Sequence, residues 1–406
     1  PWSDTEAQRH NIVREVVDTR ADFRGQGLGN WVALLPTKMG GGTYAIDLNS
    51  NRVLGSIWYW NYGDYNPISH HLCAFPSSDP IHGFEFVNST QGGQNSLIYG
   101  WTPNVPELRD AWIKGGTLTI KRIYPDPKTG LYDYRGTKGN KIDWEMVPMG
   151  ELFVEEGSLP GDAPLTLTGA DGTVWHPEGR WAATVVRLCG GIAILDPEKN
   201  FEPVAFLQFN KDSQDQYLVE RVDKDTWRVV FDKIHSPGHE IGFSPDGRFL
   251  VMMNNLRENN ASVFSCADPD PRRWRKIAHV EDPLWRGKYP NPFHMVFSLD
   301  SSKLYLSILH PSPAYSGIMV VDTKTWTIIK EIQGIGPDLQ TPALTYDGKY
   351  VLTPFSGFQR QSSGIAVIDA STDTLIGILP SNGGHHDCVI IPTELSHMKH
   401  TRSCTL

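Results

Sequence analysis

Four segments of the chain repeat one grammar: a polar residue, a basic residue nine positions on, then an aromatic or apolar one. The polar residues are Asp171, His239, His294 and Gln340, and the basic ones are Arg180, Arg248, Lys303 and Lys349. The segments read GADGTVWHPEGRW, SPGHEIGFSPDGRFL, NPFHMVFSLDSSKLY and DLQTPALTYDGKY. Each is a short strand, a turn at Glu-Gly, Asp-Gly or Asp-Ser-Ser, and a second strand. A fifth segment, GGHHDCVII, repeats the opening of the pattern without its basic residue.

A second regularity completes the unit. Gly42, Gly191, Gly317 and Gly364 each stand five residues before an aspartate (Asp47, Asp196, Asp322 and Asp369), in runs such as GIMVVDTKTWTIIKEI that read as strand, turn, strand. Joined to the first half, this gives a four-stranded meander. The polar positions recur at intervals of 46 to 68 residues, a period that points to a β-propeller and not to a helical solenoid. No long amphipathic helical pattern competes. The expected fold is therefore all-β, a seven-bladed β-propeller, with residues 1–406 as one domain. Seven is the chain length divided by a blade of roughly 50 to 60 residues with inserts. Residues 85 to 165 repeat weakly: GGTLTIKRIYPD, from Gly115, reads as a degenerate second half-blade, and LRDAWIKGG before it as a short helix.

Charge and leader sequence narrow the function classes. With 37 basic and 46 acidic residues the net charge is -9, and no basic cluster interleaves with aromatics, which argues against nucleic acid. No run of 18 apolar residues is present, so no membrane span is expected. A chain opening at Pro1 without an apolar leader is expected to be a processed, soluble protein. The five cysteines (Cys73, Cys189, Cys266, Cys388, Cys404) include no CxxC and so form no zinc or iron–sulfur signature.

The histidines carry the chemistry. His235, His279, His310, His397 and His400 read as ordinary loop or terminal residues, and His176, before a turn, as another. The remaining set is His70, His71, His82, His239, His294, His385 and His386, with Asp171 beside them. One histidine at a strand start is more often a hydrogen-bonded structural residue than a ligand. Several that share a phase across blades are different, because a propeller brings every inner strand to one channel. Imidazoles without thiolate favour copper or zinc. Adjacent strand residues face opposite ways, so only one of His385 and His386, and one of His70 and His71, faces inward.

At these residues the chain resembles the propeller of nitrous oxide reductase, whose copper cluster is held by histidines at the inner blade ends. The matching pieces are His70-His71, PIHGFE around His82, SPGHEIGFSPDGRFL around His239, PNPFHMVFS around His294 and HHDCVIIPTEL around His386. It lacks that family's C-terminal cupredoxin domain. It looks more like a thiocyanate dehydrogenase, a periplasmic propeller whose trinuclear copper centre oxidises thiocyanate with water to cyanate and sulfur. That resemblance implies copper ligands at His70, His82, Asp171, His239, His294 and His386. It also implies a substrate-binding lysine at Lys38 and an acid–base carboxylate at Glu145. Gln340 departs from the pattern, which calls for histidine in that slot. A periplasmic location, a cytochrome-type electron acceptor and a homodimer are expectations of the same origin. Two other readings stay open on the residues alone: a propeller used as an interaction platform, and a different copper or zinc enzyme on the same scaffold.

Overall fold

The computed structural model describes residues 13–16, 28–29, 31–37, 42–50, 52–58, 69–76, 84–90, 117–123, 142–148, 170–186, 191–196, 202–208, 219–221, 227–229, 240–254, 260–281, 291–310, 316–355, 364–380, 385 and 388–392. Almost all of them lie in antiparallel strands that run as consecutive meanders. Blade I is Trp31–Thr37, Gly42–Asp47 and Arg52–Trp58, completed by Val389–Pro392. Blade II is Ser69–Pro76, Phe84–Thr90, Thr117–Ile123 and Ile142–Pro148. Blade III is Ala170–Trp175, Ala182–Val186, Gly191–Asp196 and Glu202–Gln208. Blade IV is Ile241–Phe243, Phe249–Asn254, Asn260–Ser265 and Arg275–Glu281. Blade V is Asn291–Phe297, Lys303–Leu309, Gly317–Asp322 and Thr327–Gln333, with Val13–Val16 added in parallel to its last strand. Blade VI is Ala343–Leu344, Tyr350–Phe355, Gly364–Asp369 and Thr374–Pro380.

The ring closes through strand pairing. Trp31 to Leu34 lie antiparallel to Pro392 to Val389, so an early and a late strand of the chain share one blade. The inner strands of consecutive blades touch all the way round, from I to VI and back to I. The closed ring of meanders is a β-propeller. The expected seven blades are not all seen among the described residues. Between blades III and IV stands only a two-stranded hairpin, Val219–Arg221 with Trp227–Val229, and the inner strands of III and IV contact each other directly. Six full blades and one hairpin are thus present among the described residues. Dividing length by period cannot tell a reduced unit from a full one. The weakly repeating stretch does hold a blade: Thr117–Ile123 is the third strand of blade II. The helix expected at LRDAWIKGG lies outside the described residues.

Packing explains why the strands read as unbroken apolar runs. A blade in mid-ring is covered on both faces, so both alternating side-chain sets must be apolar. In Phe249–Asn254, Leu250 and Met252 pack toward blade III among Val174, Ala183, Val185 and Ile192. Val251 and Met253 pack toward blade V among Met295, Leu304, Leu306 and Met319. The next strand divides the same way, with Leu304, Leu306 and Ile308 facing blade IV and Tyr305 facing blade VI. Each fully buried aliphatic side chain of this kind contributes about 1.5–3 kcal/mol.

The first turns of blades III to VI follow one template. In Ser244-Pro-Asp-Gly-Arg-Phe249 the Ser244 hydroxyl donates to Asp246 (2.7 Å) and accepts from the Phe249 amide (2.9 Å), while Asp246 accepts the Arg248 amide (3.0 Å). Ser298, Asp300, Ser302 and Lys303 repeat those bonds at 2.7, 3.0 and 2.9 Å, as do Thr345, Asp347, Lys349 and Tyr350 at 2.7, 3.1 and 3.0 Å. The residue after the acid has positive φ in every case: Gly179 (71°), Gly247 (70°), Ser301 (60°) and Gly348 (72°). This is why the sequence shows Gly at three of the four positions. In blade III a histidine, His176, replaces the hydroxyl residue. Its Nδ1 accepts from the Glu178 amide (3.3 Å), its Nε2 lies 3.3 Å from the Gly247 carbonyl, and its ring contacts Phe243 and Trp274. His176 is thus a buried inter-blade residue and not the surface residue expected from sequence. A histidine that fills the hydroxyl slot reaches across to the neighbouring blade.

Blades V and VI are clasped at their rim. Lys303 Nζ donates to Asp373 Oδ2 (2.8 Å) and Ala370 O (3.1 Å), and the Tyr305 phenol donates to Asp373 Oδ1 (2.7 Å). Burial and the Asp373 carboxylate push the Tyr305 phenol well above its ordinary pKa, so it remains a donor. Replacing Tyr305 with Phe is expected to cost about 1.5–3 kcal/mol, the range for a hydrogen bond to a charged group, as a shifted denaturation midpoint with unchanged slope. Burial also holds the His176 imidazole below its ordinary pKa, against the opposing pull of the Gly247 carbonyl. The folded protein therefore binds fewer protons than the unfolded chain as pH falls below the ordinary histidine value of about 6.5. Stability should decline from about pH 7 to pH 5, and less steeply in a His176→Asn variant compared by thermal melts across that range.

Candidate metal and substrate site

At the inner strand ends opposite those turns stand Glu240, His294, Gln340 and Thr341, and the turns fix the alignment of the repeats. The backbone amide of the first turn residue bonds the carbonyl five residues on in all four cases: His176 to Trp181, Ser244 to Phe249, Ser298 to Lys303 and Thr345 to Tyr350. Lys303 therefore stands where Trp181, Phe249 and Tyr350 stand, and Ser302 holds the basic position. Counting nine back from Ser302 gives Phe293. His294 lies one residue further on, level with Glu240 and Thr341. The shared nine-residue phase is correct for Asp171, His239 and Gln340 and off by one for His294. A β-bulge accompanies the step, since the pairing register shifts between Pro292 and His294.

The corrected alignment is visible as contact. His294 Nδ1 lies 2.7 Å from Thr341 Oγ1 and 3.4 Å from Glu240 Oε1, so blades IV, V and VI each supply one member of a carboxylate–imidazole–hydroxyl cluster. All three side chains are buried. The His294 amide donates to Ser307 Oγ (3.2 Å), and its ring meets Phe293 edge-on with centroids 4.4 Å apart. Neither Glu240 nor Thr341 was evident from the sequence. Aligning Ser244, Ser298 and Thr345 instead of the basic residues would have placed both beside His294.

Gln340 is fully buried and held firmly. Its amide donates to Pro354 O (2.8 Å), its carbonyl accepts from Thr353 Oγ1 (2.9 Å), and its Nε2 donates to Asp338 O (3.1 Å). Its Oε1 is buried with no hydrogen-bond partner among the described residues. Burial raises the pKa of neighbouring Asp338, partly offset by His310. On blade I, His385 is buried, and burial alone lowers its pKa to about 4, so the ring is neutral at ordinary pH.

The other expected site residues are placed by backbone only or not at all. His70 and His71 lie in the inner strand of blade II, and the register shift there falls between Ser69 and His71. Asp171 lies in the inner strand of blade III, where the register also shifts. Glu145 lies in Ile142–Pro148, the outermost strand of blade II, opposite Ile120. That strand is three spacings from the inner edge, about 14 Å. Lys38, His82, His239 and His386 lie outside the described residues, as do the side chains of His70, His71, Glu145 and Asp171. Among the described residues no three His, Cys, Asp or Glu side chains group as a metal site, and no helix is long and apolar enough to cross a membrane.

Comparison with known proteins agrees with the fold. The structure is similar to the periplasmic gluconolactonase of Pseudomonas aeruginosa, with a TM-score of 0.51 and 13% identity over 89% of this chain and 99% of that one. It is also similar to a functionally unknown protein from Desulfotomaculum acetoxidans (TM-score 0.47, 11% identity, 89% and 99% covered) and to a putative 6-phosphogluconolactonase from Bacteroides uniformis (0.46, 15%, 90% and 98%). At these identities the likeness is one of fold. No family model and no curated protein matches the sequence.

An acceptor buried without a partner costs about 1–3 kcal/mol. Replacing Gln340 with Met, close in shape and apolar, removes that cost along with the bond to Asp338. The variant is expected to be as stable as the parent or more stable by up to about 1 kcal/mol in urea unfolding. A loss above 2 kcal/mol would mean that Oε1 has a structural partner.

Proposed function

We propose that the chain is a copper-dependent oxidoreductase of the thiocyanate dehydrogenase type, acting at the inner blade ends. The observation that carries this is the buried junction of blades IV to VI. There an imidazole is held by a carboxylate and a hydroxyl, and Gln340, next in the chain to the hydroxyl residue, has an amide oxygen buried with no hydrogen-bond partner among the described residues. Burying such polar groups is costly unless they are paired or used. The donors suit copper: imidazole nitrogen is a good ligand, and a neutral amide oxygen is a poor one in a slot where the family pattern has histidine.

The overall change joins thiocyanate and water to give cyanate, elemental sulfur, two protons and two electrons, the electrons leaving to a cytochrome-type acceptor. Copper, when bound, would lower the pKa of a coordinated water and accept single electrons. His294, with His70, His82, Asp171, His239 and His386 as the resemblance assigns them, would hold the metals. Lys38 would hold the anion by charge. Glu145, on the outermost strand of blade II, is the residue the resemblance assigns to take the proton from the attacking water.

Metal analysis of the purified protein together with thiocyanate-dependent dye reduction tests the reading. Copper is expected to be the retained metal, below a full set of three per chain. Replacing Gln340 with His should raise both copper content and turnover. A protein that retains no copper, or a Gln340→His variant that changes neither quantity, would refute it. An interaction platform would show no copper, and a hydrolase on this scaffold would cleave a lactone without any acceptor dye.

A further inference from the structure

We infer that Glu240 and Thr341 are positioning residues for His294, holding its proton on Nδ1 and so setting Nε2 as the nitrogen that carries the lone pair. This rests on the copper reading for its purpose but not for its geometry. The three groups come from three different blades and meet in the fully buried junction at 2.7 and 3.4 Å. A carboxylate in an apolar interior favours a proton on the nitrogen that faces it. Thr341 Oγ1, at hydrogen-bond distance from the same nitrogen, accepts that proton directly. The His294 backbone is fixed by Ser307 and its ring by Phe293, which leaves little freedom to turn the ring over. A ligating imidazole normally needs such an arrangement, with its second nitrogen donating to a carboxylate or another acceptor. The Nδ1–H opposite also gives the buried Glu240 carboxylate a donor, without which it would be strongly destabilising.

The test uses the full chain, labelled with 15N at histidine and stripped of metal. Long-range proton–nitrogen correlation spectra should show His294, assigned by its loss in His294→Gln, as the Nδ1–H form. In Glu240→Gln and Thr341→Val the signal should become a mixture of both forms, and Thr341→Ser, which keeps the hydroxyl, should restore the parent pattern. In a copper competition titration, Glu240→Gln should bind about 10- to 100-fold more weakly, the usual loss for an outer partner of a metal-bound histidine. Circular dichroism and melting confirm that each variant is folded; one that melts out is replaced in the comparison by Thr341→Ser against Thr341→Val. An Nε2–H form in the parent, or an unchanged form in both Glu240→Gln and Thr341→Val, would overturn the assignment. An Nδ1–H parent that binds no copper would uphold the positioning and overturn the copper reading.

Discussion

Burial of each blade on both faces is the constraint from which the rest follows. Leu250 and Met252 look one way and Val251 and Met253 the other, and the neighbouring strand of blade V repeats the division. A sheet apolar on both sides cannot stop at a free face, so each blade requires a neighbour on either side. Right-handed strand twist then bends the stack into a ring. The ring is what draws residues far apart in sequence to one place.

Function and stability divide along each blade. At the turn end the hydroxyl and acid of the Ser244, Ser298 and Thr345 turns satisfy their own backbone groups, and bonds between blades such as Lys303 and Tyr305 to Asp373 add to them. At the opposite end the buried side chains have no such local turn to satisfy them. His294 finds its Nδ1 neighbours Glu240 and Thr341 on other blades, and Gln340 keeps a buried oxygen with no hydrogen-bond partner among the described residues. Departures from local satisfaction of this kind collect at functional positions in natural proteins.

Much of the fold was legible in the sequence, for reasons specific to particular residues. The positive φ at Gly179, Gly247 and Gly348 made three of the four turns readable, and the Gly-to-Asp runs do form the third strand of their blades at Gly42–Asp47, Gly191–Asp196, Gly317–Asp322 and Gly364–Asp369. The alignment of His294 was misread because Lys303 occupies an aromatic position and made the blade V turn look one residue longer. The inter-blade role of His176 was hidden because it replaces a hydroxyl residue and not another histidine. Glu240 and Thr341 were missed because a partner on another blade leaves no mark in local spacing. The expected seventh blade is represented among the described residues by a two-stranded hairpin, Val219–Arg221 with Trp227–Val229.

The pairing of Trp31 to Leu34 with Val389 to Pro392 sets an order for the molecule's making. Until the last of these strands emerges from the ribosome, blade I lacks its inner member and the stack is an open arc with exposed edges at both ends. Such edges are templates for pairing with other chains, so the newly made chain is exposed to aggregation until that strand has been added. The same timing means that the channel cannot be enclosed before residues 389–392 are made. Anything that must sit inside it has to wait for the finished ring, or enter by its mouth.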